Sequence, residues 1–170
     1  REKDMIRYRS LAALAAVMFA PAGAQEPGAP QQVLVVAAHP DDELFMAPAI
    51  AAMAREGADV AVYYATAGDA GPGVSGMAPG PELAERRIAE AWCAVEALGA
   101  SALIGGEAGD GTLGAAAHRP GSAALQVKDE LLRQLEGTDL ILSWGPDGGY
   151  GHADHRMVSA LATQVAQALP

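Results

Sequence analysis

The stretch VLVVAAHPDDE, residues 33–43, decides the fold. Its first six residues are all apolar, which is typical of a strand that is buried on both faces of a parallel sheet. A histidine, a proline and three carboxylates follow this run directly. The stretch therefore predicts a buried parallel strand that ends in a polar cluster.

Strands and helices alternate through the rest of the chain. Apolar runs of strand length recur at residues 59–66, 101–104 and 139–144, and segments with helical periodicity separate them. This alternation implies right-handed β-α-β crossovers. We therefore predict an α/β fold, with a Rossmann-like, mostly parallel sheet and helices on both faces. The predicted helices span residues 43–55, 82–98, 123–135 and 153–169.

The N-terminal residues differ in composition from this α/β body. A short basic stretch at residues 5–10 precedes an apolar run at residues 11–19, and small residues lead to Ala24. This order is typical of a secretory signal peptide, so we expect export to the periplasm or secretion. The predicted parts are a signal peptide at 1–24, with residues 1–4 upstream of the true start, a spacer at 25–32 and one domain at 33–170.

Composition excludes several classes of protein. The 170 residues include 11 basic and 21 acidic ones, which gives a net charge of −10. Such an acidic chain lacks the positive surface that nucleic acids require, and 51% apolar residues exclude a disordered chain. No apolar run reaches the roughly 20 residues of a membrane span. The single cysteine, Cys93, rules out an intrachain disulfide, and we expect it to be a small buried hydrophobe.

Two polar clusters fall where predicted strands end. HPDDE, residues 39–43, follows the first strand, and GHADH, residues 151–155, follows the fourth after a short loop. In parallel α/β sheets, ligands bind beyond the carboxyl ends of the strands. The placement of both clusters therefore predicts one shared functional site.

The residue types in these clusters are those of a metal site. Catalytic zinc takes three His, Asp or Glu ligands and leaves one position for water. His39, His155 and one of Asp41 and Asp42 would supply such a set and leave the other carboxylate free as a base. Taken separately, HPDD is also explained as a helix cap, and His152 with His155 as a surface pair. Their common position at strand ends favours the metal site.

With these motifs, the chain resembles the PIG-L/LmbE-like family of zinc-dependent N-acetylglucosaminyl deacetylases. The resemblance covers nearly all of residues 33–168. It implies a hydrolase that removes an N-acetyl group from an N-acetylglucosamine-type sugar or a related N-acyl compound and releases acetate. The implied cofactor is Zn²⁺, with Fe²⁺ as the alternative, and the implied partner is a small N-acetylated sugar or glycoconjugate. The other matching pieces are TAGDAG at 66–71, R-x-x-E at 87–90, LG at 98–99, D-G at 110–111 and YGHADHR at 150–156.

The resemblance assigns the metal ligands and the base. His39, Asp42 and His155 match the zinc ligands of the family. Asp41 matches its general base, which takes a proton from the attacking water. This assignment separates two adjacent carboxylates that the spacing alone leaves equivalent.

Further residues receive roles around the substrate. His152 matches the histidine that stabilises the oxyanion, and Asp154 matches the acid that tunes this histidine. Arg87 lies in the segment that approaches the substrate in relatives. Trp144 and Tyr150 flank the second cluster, where packing and stacking on a sugar ring explain them equally well. We take Tyr150 as a candidate substrate-binding residue.

The sequence departs from the family at two points, and two other functions stay open. Ala153 stands where relatives usually have proline. The chain also stops about one helix after the second cluster, so we expect a C-terminal truncation that removes elements of the substrate pocket. The alternatives are a non-catalytic carbohydrate-binding module of the same fold and a metal-dependent phosphoesterase. The sequence leaves the oligomeric state open.

Overall fold

The computed structural model describes residues 31–105 and 108–168. Along this part of the chain, strands alternate with helices, and a short 3₁₀ turn follows the first strand. The predicted signal peptide lies outside the described residues. In chain order the elements are β1 (Gln32–Ala37), the 3₁₀ turn (Asp42–Phe45), α1 (Ala47–Arg55), β2 (Asp59–Tyr64), α2 (Pro81–Ala97), β3 (Ser101–Ile104), α3 (Ala123–Gln134), β4 (Leu140–Ser143) and α4 (Ala153–Ala166).

The four strands form one parallel sheet in the order β3-β2-β1-β4. β1 is an inner strand, because Val35 lies beside Val62 of β2 on one side and Leu142 of β4 on the other. Every residue of β1 after Gln32 is buried. The prediction of a strand buried on both faces is thus confirmed.

Two apolar cores lie on opposite faces of the sheet. Leu34 and Val36 belong to the core that α3 and α4 complete, whereas Val33 and Val35 belong to the core that α1 and α2 complete. The alternation follows from the pleat, which sends successive side chains to opposite faces. Helices therefore cover both faces, and the predicted α/β fold is confirmed.

Among the helices that the structure describes, none has both the length and the apolarity that crossing a bilayer requires.

The first helix begins later than the sequence predicts. The prediction placed it at residues 43–55, but α1 begins at Ala47, after the 3₁₀ turn. Asp41 has a left-handed backbone with φ 90°, so the chain cannot enter a regular helix directly from the strand. Pro48 then lies in the first turn of α1, where its missing N–H is tolerated.

The expectation for Cys93 is wrong, because its side chain is exposed. On α2, Ala91 and Val95 face the sheet and are buried. Cys93 is two residues from each of them, which places it on the opposite side of the helix.

The strand order brings the two polar clusters together. β1 and β4 are neighbours in the sheet although about a hundred residues separate them in sequence. The carboxyl ends of β1 and β4 therefore lie side by side at one end of the sheet. From β1, the chain continues to β2 on one side, whereas β4 lies on the other side. This is the switch point where α/β sheets bind ligands.

Candidate active site

The three predicted metal ligands are buried together at the carboxyl ends of β1 and β4. His39, Asp42 and His155 are 6%, 2% and 0% exposed. His155 Nε2 lies 3.1 Å from Asp42 Oδ1, and His39 Nδ1 lies 3.8 Å from Asp42 Oδ2. The centroids of the two imidazole rings are 5.3 Å apart. The structure therefore brings together a carboxylate and two imidazoles that the sequence keeps apart.

Two backbone groups hold the carboxylate of Asp42 in place. Its Oδ2 accepts the N–H of Ala38 at 2.8 Å and the N–H of His39 at 3.0 Å. Burial by itself raises the pKa of Asp42, but hydrogen bonds from His39 outweigh it, and the pKa falls below its ordinary value. Asp42 is thus an ionised carboxylate whose Oδ1 is turned towards His155.

His155 has one ring nitrogen that a hydrogen bond fixes and one that is left over. Nδ1 lies 3.3 Å from the carbonyl oxygen of Gly148 and donates to it. Burial lowers the pKa of His155, so the neutral ring carries a lone pair on Nε2. That buried nitrogen has no hydrogen-bond partner among the described residues. A lone pair directed at a neighbouring carboxylate is the arrangement of two ligands that share one cation.

The indole ring of Trp144 packs against one face of the His155 ring. The two rings are stacked at 4.2 Å with an interplanar angle of 9°. Packing therefore accounts for Trp144, which was one of its two predicted explanations. The stacking also fixes the direction in which His155 Nε2 points.

His39 is oriented by two carboxylates on its other side. Its Nε2 lies 2.9 Å from Asp110 Oδ1 and 3.3 Å from Asp154 Oδ2. Burial by itself lowers the pKa of His39, but hydrogen bonds with Asp110, Asp154 and Asp42 raise it to about 11. A cation bound at Nδ1 would take the place of the proton on that nitrogen, while Nε2–H continues to donate to a carboxylate, as is common for ligating histidines. Three carboxylates around one imidazole also leave an excess of negative charge, which a divalent cation would neutralise.

Asp110 is a site residue that was not predicted, although the D-G pair at residues 110–111 is one of the motifs shared with the family. Asp110 follows β3, and the pKa of its carboxyl is lowered because it accepts a hydrogen bond from His39. His39, Asp110 and Asp154 form one group of side chains with potential ligand atoms within 4.8 Å, and His39, His152 and His155 form another. The position of Asp110 just beyond a parallel strand was the signal that could have identified it.

His152 and Asp154 begin α4 and differ in their contacts. His152 caps the helix, because its Nδ1 accepts the backbone N–H of Asp154 at 3.2 Å. The carboxylate of Asp154 is fully buried, and Oδ2 accepts the N–H of Gly111 at 2.7 Å besides contacting His39. Asp154 thus contacts His39 and Gly111 through its carboxylate. Its action on His152 stays a prediction.

Asp41 points away from its neighbour Asp42. Its side chain is 67% exposed, and Oδ2 accepts a hydrogen bond from Arg87 Nη2 at 2.8 Å. Its own N–H donates to Glu43 Oε2 at 2.9 Å. Partial loss of hydration raises the pKa of Asp41, and the guanidinium of Arg87 opposes this rise. The carboxylate of Asp42 therefore belongs to the buried cluster, and that of Asp41 lies at the rim.

Arg87 joins the loops that follow β1 and β2. Nη1 donates to the carbonyls of Gly68 and Gly71 at 3.1 and 2.9 Å, and Nη2 donates to the carbonyl of Pro40 as well as to Asp41. A Cβ on Gly68 would lie 2.7 Å from the guanidinium, which explains a glycine there. The guanidinium of Arg87 donates to protein acceptors in this structure. Its role in substrate binding stays a prediction.

Tyr150 stands at the rim of the cluster. It is 72% exposed, and its ring centroid lies 5.2 Å from that of His155. Phe45, which sequence analysis did not single out, is 70% exposed and contacts Trp144 with ring centroids 5.0 Å apart. Exposed aromatic rings thus flank the histidines, and the substrate-binding role of Tyr150 stays a prediction.

The fold and this cluster define an α/β protein with a candidate metal site at the switch point of a parallel sheet. The profile of the PIG-L family, described as GlcNAc-PI de-N-acetylase, matches residues 34–166. The chain belongs to this family.

Curated relatives and a solved structure agree with the family. The chain is 34% identical over 142 residues to a 1D-myo-inositol 2-acetamido-2-deoxy-alpha-D-glucopyranoside deacetylase of Corynebacterium glutamicum, which covers 73% of the chain and 49% of the relative. The enzyme of the same name from Rhodococcus erythropolis is 32% identical, covering 81% and 53%. The N,N'-diacetylchitobiose deacetylase of Pyrococcus horikoshii is similar in structure, with a TM-score of 0.68 and 26% identity, covering 81% of this chain and 50% of that one.

Another solved structure has the same fold and a different named activity. It is the 4-carboxy-2-hydroxymuconate hydratase of Pseudomonas putida, with a TM-score of 0.61 and 25% identity, covering 79% of this chain and 55% of that one. The chain spans about half the length of the curated relatives it matches. Fold and family therefore leave the reaction to be argued from the site.

Proposed function

We propose that this chain acts as a zinc-dependent deacetylase that hydrolyses the N-acetyl group of an N-acetylglucosamine conjugate. The observation that carries the proposal is the buried Nε2 of His155, which makes no hydrogen bond with the described residues and lies 3.1 Å from Asp42 Oδ1. Two of the relatives and the chitobiose enzyme are deacetylases named for N-acetylated amino sugars. Site and relatives thus support the same reaction.

His39, Asp42 and His155 would hold the metal, His39 through Nδ1 and His155 through Nε2. Two imidazoles in the ligand set favour zinc over magnesium. Zinc in such a site lowers the pKa of water and polarises the carbonyl of the scissile amide. Asp110 and Asp154 would fix the orientation of the His39 ring through their contacts with Nε2, as carboxylates commonly do for ligating histidines.

Asp41 would carry the proton during hydrolysis. Its Oδ2 is held by Arg87, which leaves Oδ1 to accept a proton from the attacking water. The water oxygen adds to the amide carbon, the C–N bond then breaks, and acetate leaves. The amine nitrogen takes the proton that Asp41 received. The exposed position of Asp41 at the rim suits a group that meets both water and the departing sugar.

His152 and Tyr150 would act on the substrate itself. Because Nδ1 of His152 accepts the N–H of Asp154, the ring proton lies on Nε2, which donates to the oxygen where negative charge develops. Tyr150 offers an exposed ring face for the pyranose. His39 and His152 have ring centroids 4.8 Å apart, so donor and metal ligand approach one reacting centre.

The alternatives differ in measurable ways. A phosphoesterase commonly uses two metals, whereas both candidate ligand groups here share His39, which favours a single ion. Retention of Asp41 disfavours a non-catalytic binding module. The hydratase neighbour would predict addition of water to a carbon–carbon double bond instead of acetate release.

The test measures acetate release by the zinc-loaded chain from N-acetylglucosamine, its inositol glycoside and diacetylchitobiose. We expect acetate release with one zinc ion per chain, and its loss after treatment with a chelator. Two metal ions per chain together with phosphate-ester cleavage would replace the proposal by the phosphoesterase. Hydration of an unsaturated acid without acetate release would replace it by the hydratase.

A further inference from the structure

Glu43 is a buried carboxylate that the proposed reaction does not use. It is 2% exposed, and its Oε2 accepts the N–H of Asp41 at 2.9 Å. A buried carboxylate is unfavourable unless polar groups compensate it. An apolar residue would fill this volume without that penalty, so the carboxylate needs a reason.

Glu43 also interacts with the side chain of Tyr64, and its carboxylate contributes to raising the pKa of that hydroxyl. The hydroxyl is fully buried, and it makes no hydrogen bond of good geometry with the described residues. Burial and then the carboxylate of Glu43 raise the pKa of Tyr64, so the hydroxyl keeps its proton and remains a donor. Glu43 thus accepts the backbone N–H of Asp41 and also interacts with Tyr64 on β2.

The hydrogen bond from the Asp41 N–H to Glu43 involves a residue with an unusual backbone conformation. Asp41 has φ 90° and ψ −16°, and it is one of two non-glycine residues with positive φ among those the structure describes. A positive φ is uncommon for a residue with a Cβ, although aspartate and asparagine adopt it more readily than most, so contacts that hold the turn favour this conformation. At this turn, the exposed carboxylate of Asp41, which contacts Arg87, is next in sequence to the buried carboxylate of Asp42.

We propose that Glu43 is a positioning residue, which holds the backbone of Asp41 in its left-handed turn and so aims the Asp41 carboxylate at the reacting centre. Arg87 holds the carboxylate itself, and Glu43 holds the backbone, so Asp41 is fixed at two points. This inference rests on the proposed function, because it assigns Glu43 to the residue that moves the proton. Tyr64 on β2 also interacts with the carboxylate of Glu43.

The test compares Glu43→Ala with Glu43→Gln, and uses Glu96→Ala, an exposed glutamate at the far end of α2, as the control. Glu43→Ala removes the acceptor, and we expect kcat to fall at least about tenfold while KM and zinc content change less than twofold. Glu43→Gln keeps an oxygen that can accept the Asp41 N–H, so it should recover most of kcat. The control should match the parent protein.

A double-mutant cycle separates positioning from general damage. If Glu43 acts through Asp41, Glu43→Ala in an Asp41→Asn background should lower kcat less than twofold further. Loss of zinc in Glu43→Ala, a multiplicative loss in the double variant, or a Glu43→Gln defect as deep as that of alanine would each overturn the proposal. If Glu43→Ala does not fold, Glu43→Asp provides the test, because its shorter side chain keeps the charge and withdraws the oxygen from the Asp41 N–H; its kcat defect should likewise vanish in the Asp41→Asn background.

A second measurement needs no turnover. The Asp41 amide should exchange its hydrogen at least about tenfold faster in Glu43→Ala than in the parent, and near the parent rate in Glu43→Gln. If the parent releases no acetate, the proposed reaction fails, while this exchange experiment still decides whether Glu43 holds the turn. Equal exchange rates in all three proteins would refute the inference itself.

Discussion

The adjacent carboxylates Asp41 and Asp42 should respond in opposite ways to the same change, aspartate to asparagine. Asp41→Asn preserves the shape of the side chain, and asparagine tolerates the left-handed backbone well. The pair with Arg87 is largely exposed on the aspartate side, so its loss should change stability by at most about 1 kcal/mol. Only the basicity is lost, and turnover should therefore fall by roughly 10²–10⁴ at unchanged zinc content.

Asp42→Asn should damage the metal site instead. The carboxylate accepts two backbone N–H groups on Oδ2 and faces His155 Nε2 with Oδ1. An amide must keep its oxygen towards the N–H donors, which turns its NH₂ towards His155. That NH₂ would donate to the lone pair that His155 needs for the metal. Outer-shell partners alone are worth about 10–100-fold in affinity, so loss of this ligand should weaken zinc binding at least about 100-fold.

Both variants are measured side by side for zinc content, zinc affinity by chelator competition, and acetate release per zinc-loaded chain. Zinc loss in Asp41→Asn together with a zinc-replete, slow Asp42→Asn protein would reverse the two roles. Equal turnover of Asp41→Asn and the parent protein would remove the proposed proton transfer.

Three further predictions concern other parts of the chain. Asp110→Asn should weaken zinc binding about 10–100-fold, because it removes a charged acceptor from His39; an affinity equal to that of the parent would contradict this. Gly68→Ala should lower the free energy of unfolding more than Gly57→Ala does, as measured with urea, since both have positive φ but only Gly68 has the guanidinium within 3 Å of a new Cβ. Expressed in a Gram-negative host, the protein should reach the periplasm cut after Ala24, which N-terminal sequencing of the periplasmic fraction checks.

The sequence predicted the strands well because their signal is local. β1 is an unbroken apolar run, and the structure buries it on both faces. The same local pattern also located both polar clusters, since each follows a strand. Periodicity could not predict that the helix after β1 starts only at Ala47, because the delay depends on the sign of φ at Asp41. Nothing in an alternation of apolar and polar residues encodes that sign.

Contacts between distant loops account for the rest of what the sequence missed. Asp110 approaches His39 across the sheet, and Arg87 reaches two loops that precede it by sixteen residues or more. Which atoms meet in such loops depends on side-chain direction and length. Residue type identified Arg87 as a candidate binding group, but the geometry shows its guanidinium donating to protein carbonyls and to Asp41.

A buried cluster with three carboxylates and two imidazoles needs a positive charge to be stable. Asp42, Asp110 and Asp154 all lie within hydrogen-bonding or ion-pair distance of His39, and the interior screens their repulsion poorly. In contrast, Asp41 lies at the rim, where water and Arg87 satisfy it. The left-handed turn at Asp41 accompanies this division: Asp42 lies in the cluster, and Asp41 lies at its rim in contact with Arg87. A parallel strand that ends in HPDDE can therefore offer a cation ligand and a base from consecutive positions, which is the arrangement that the proposed amide hydrolysis requires.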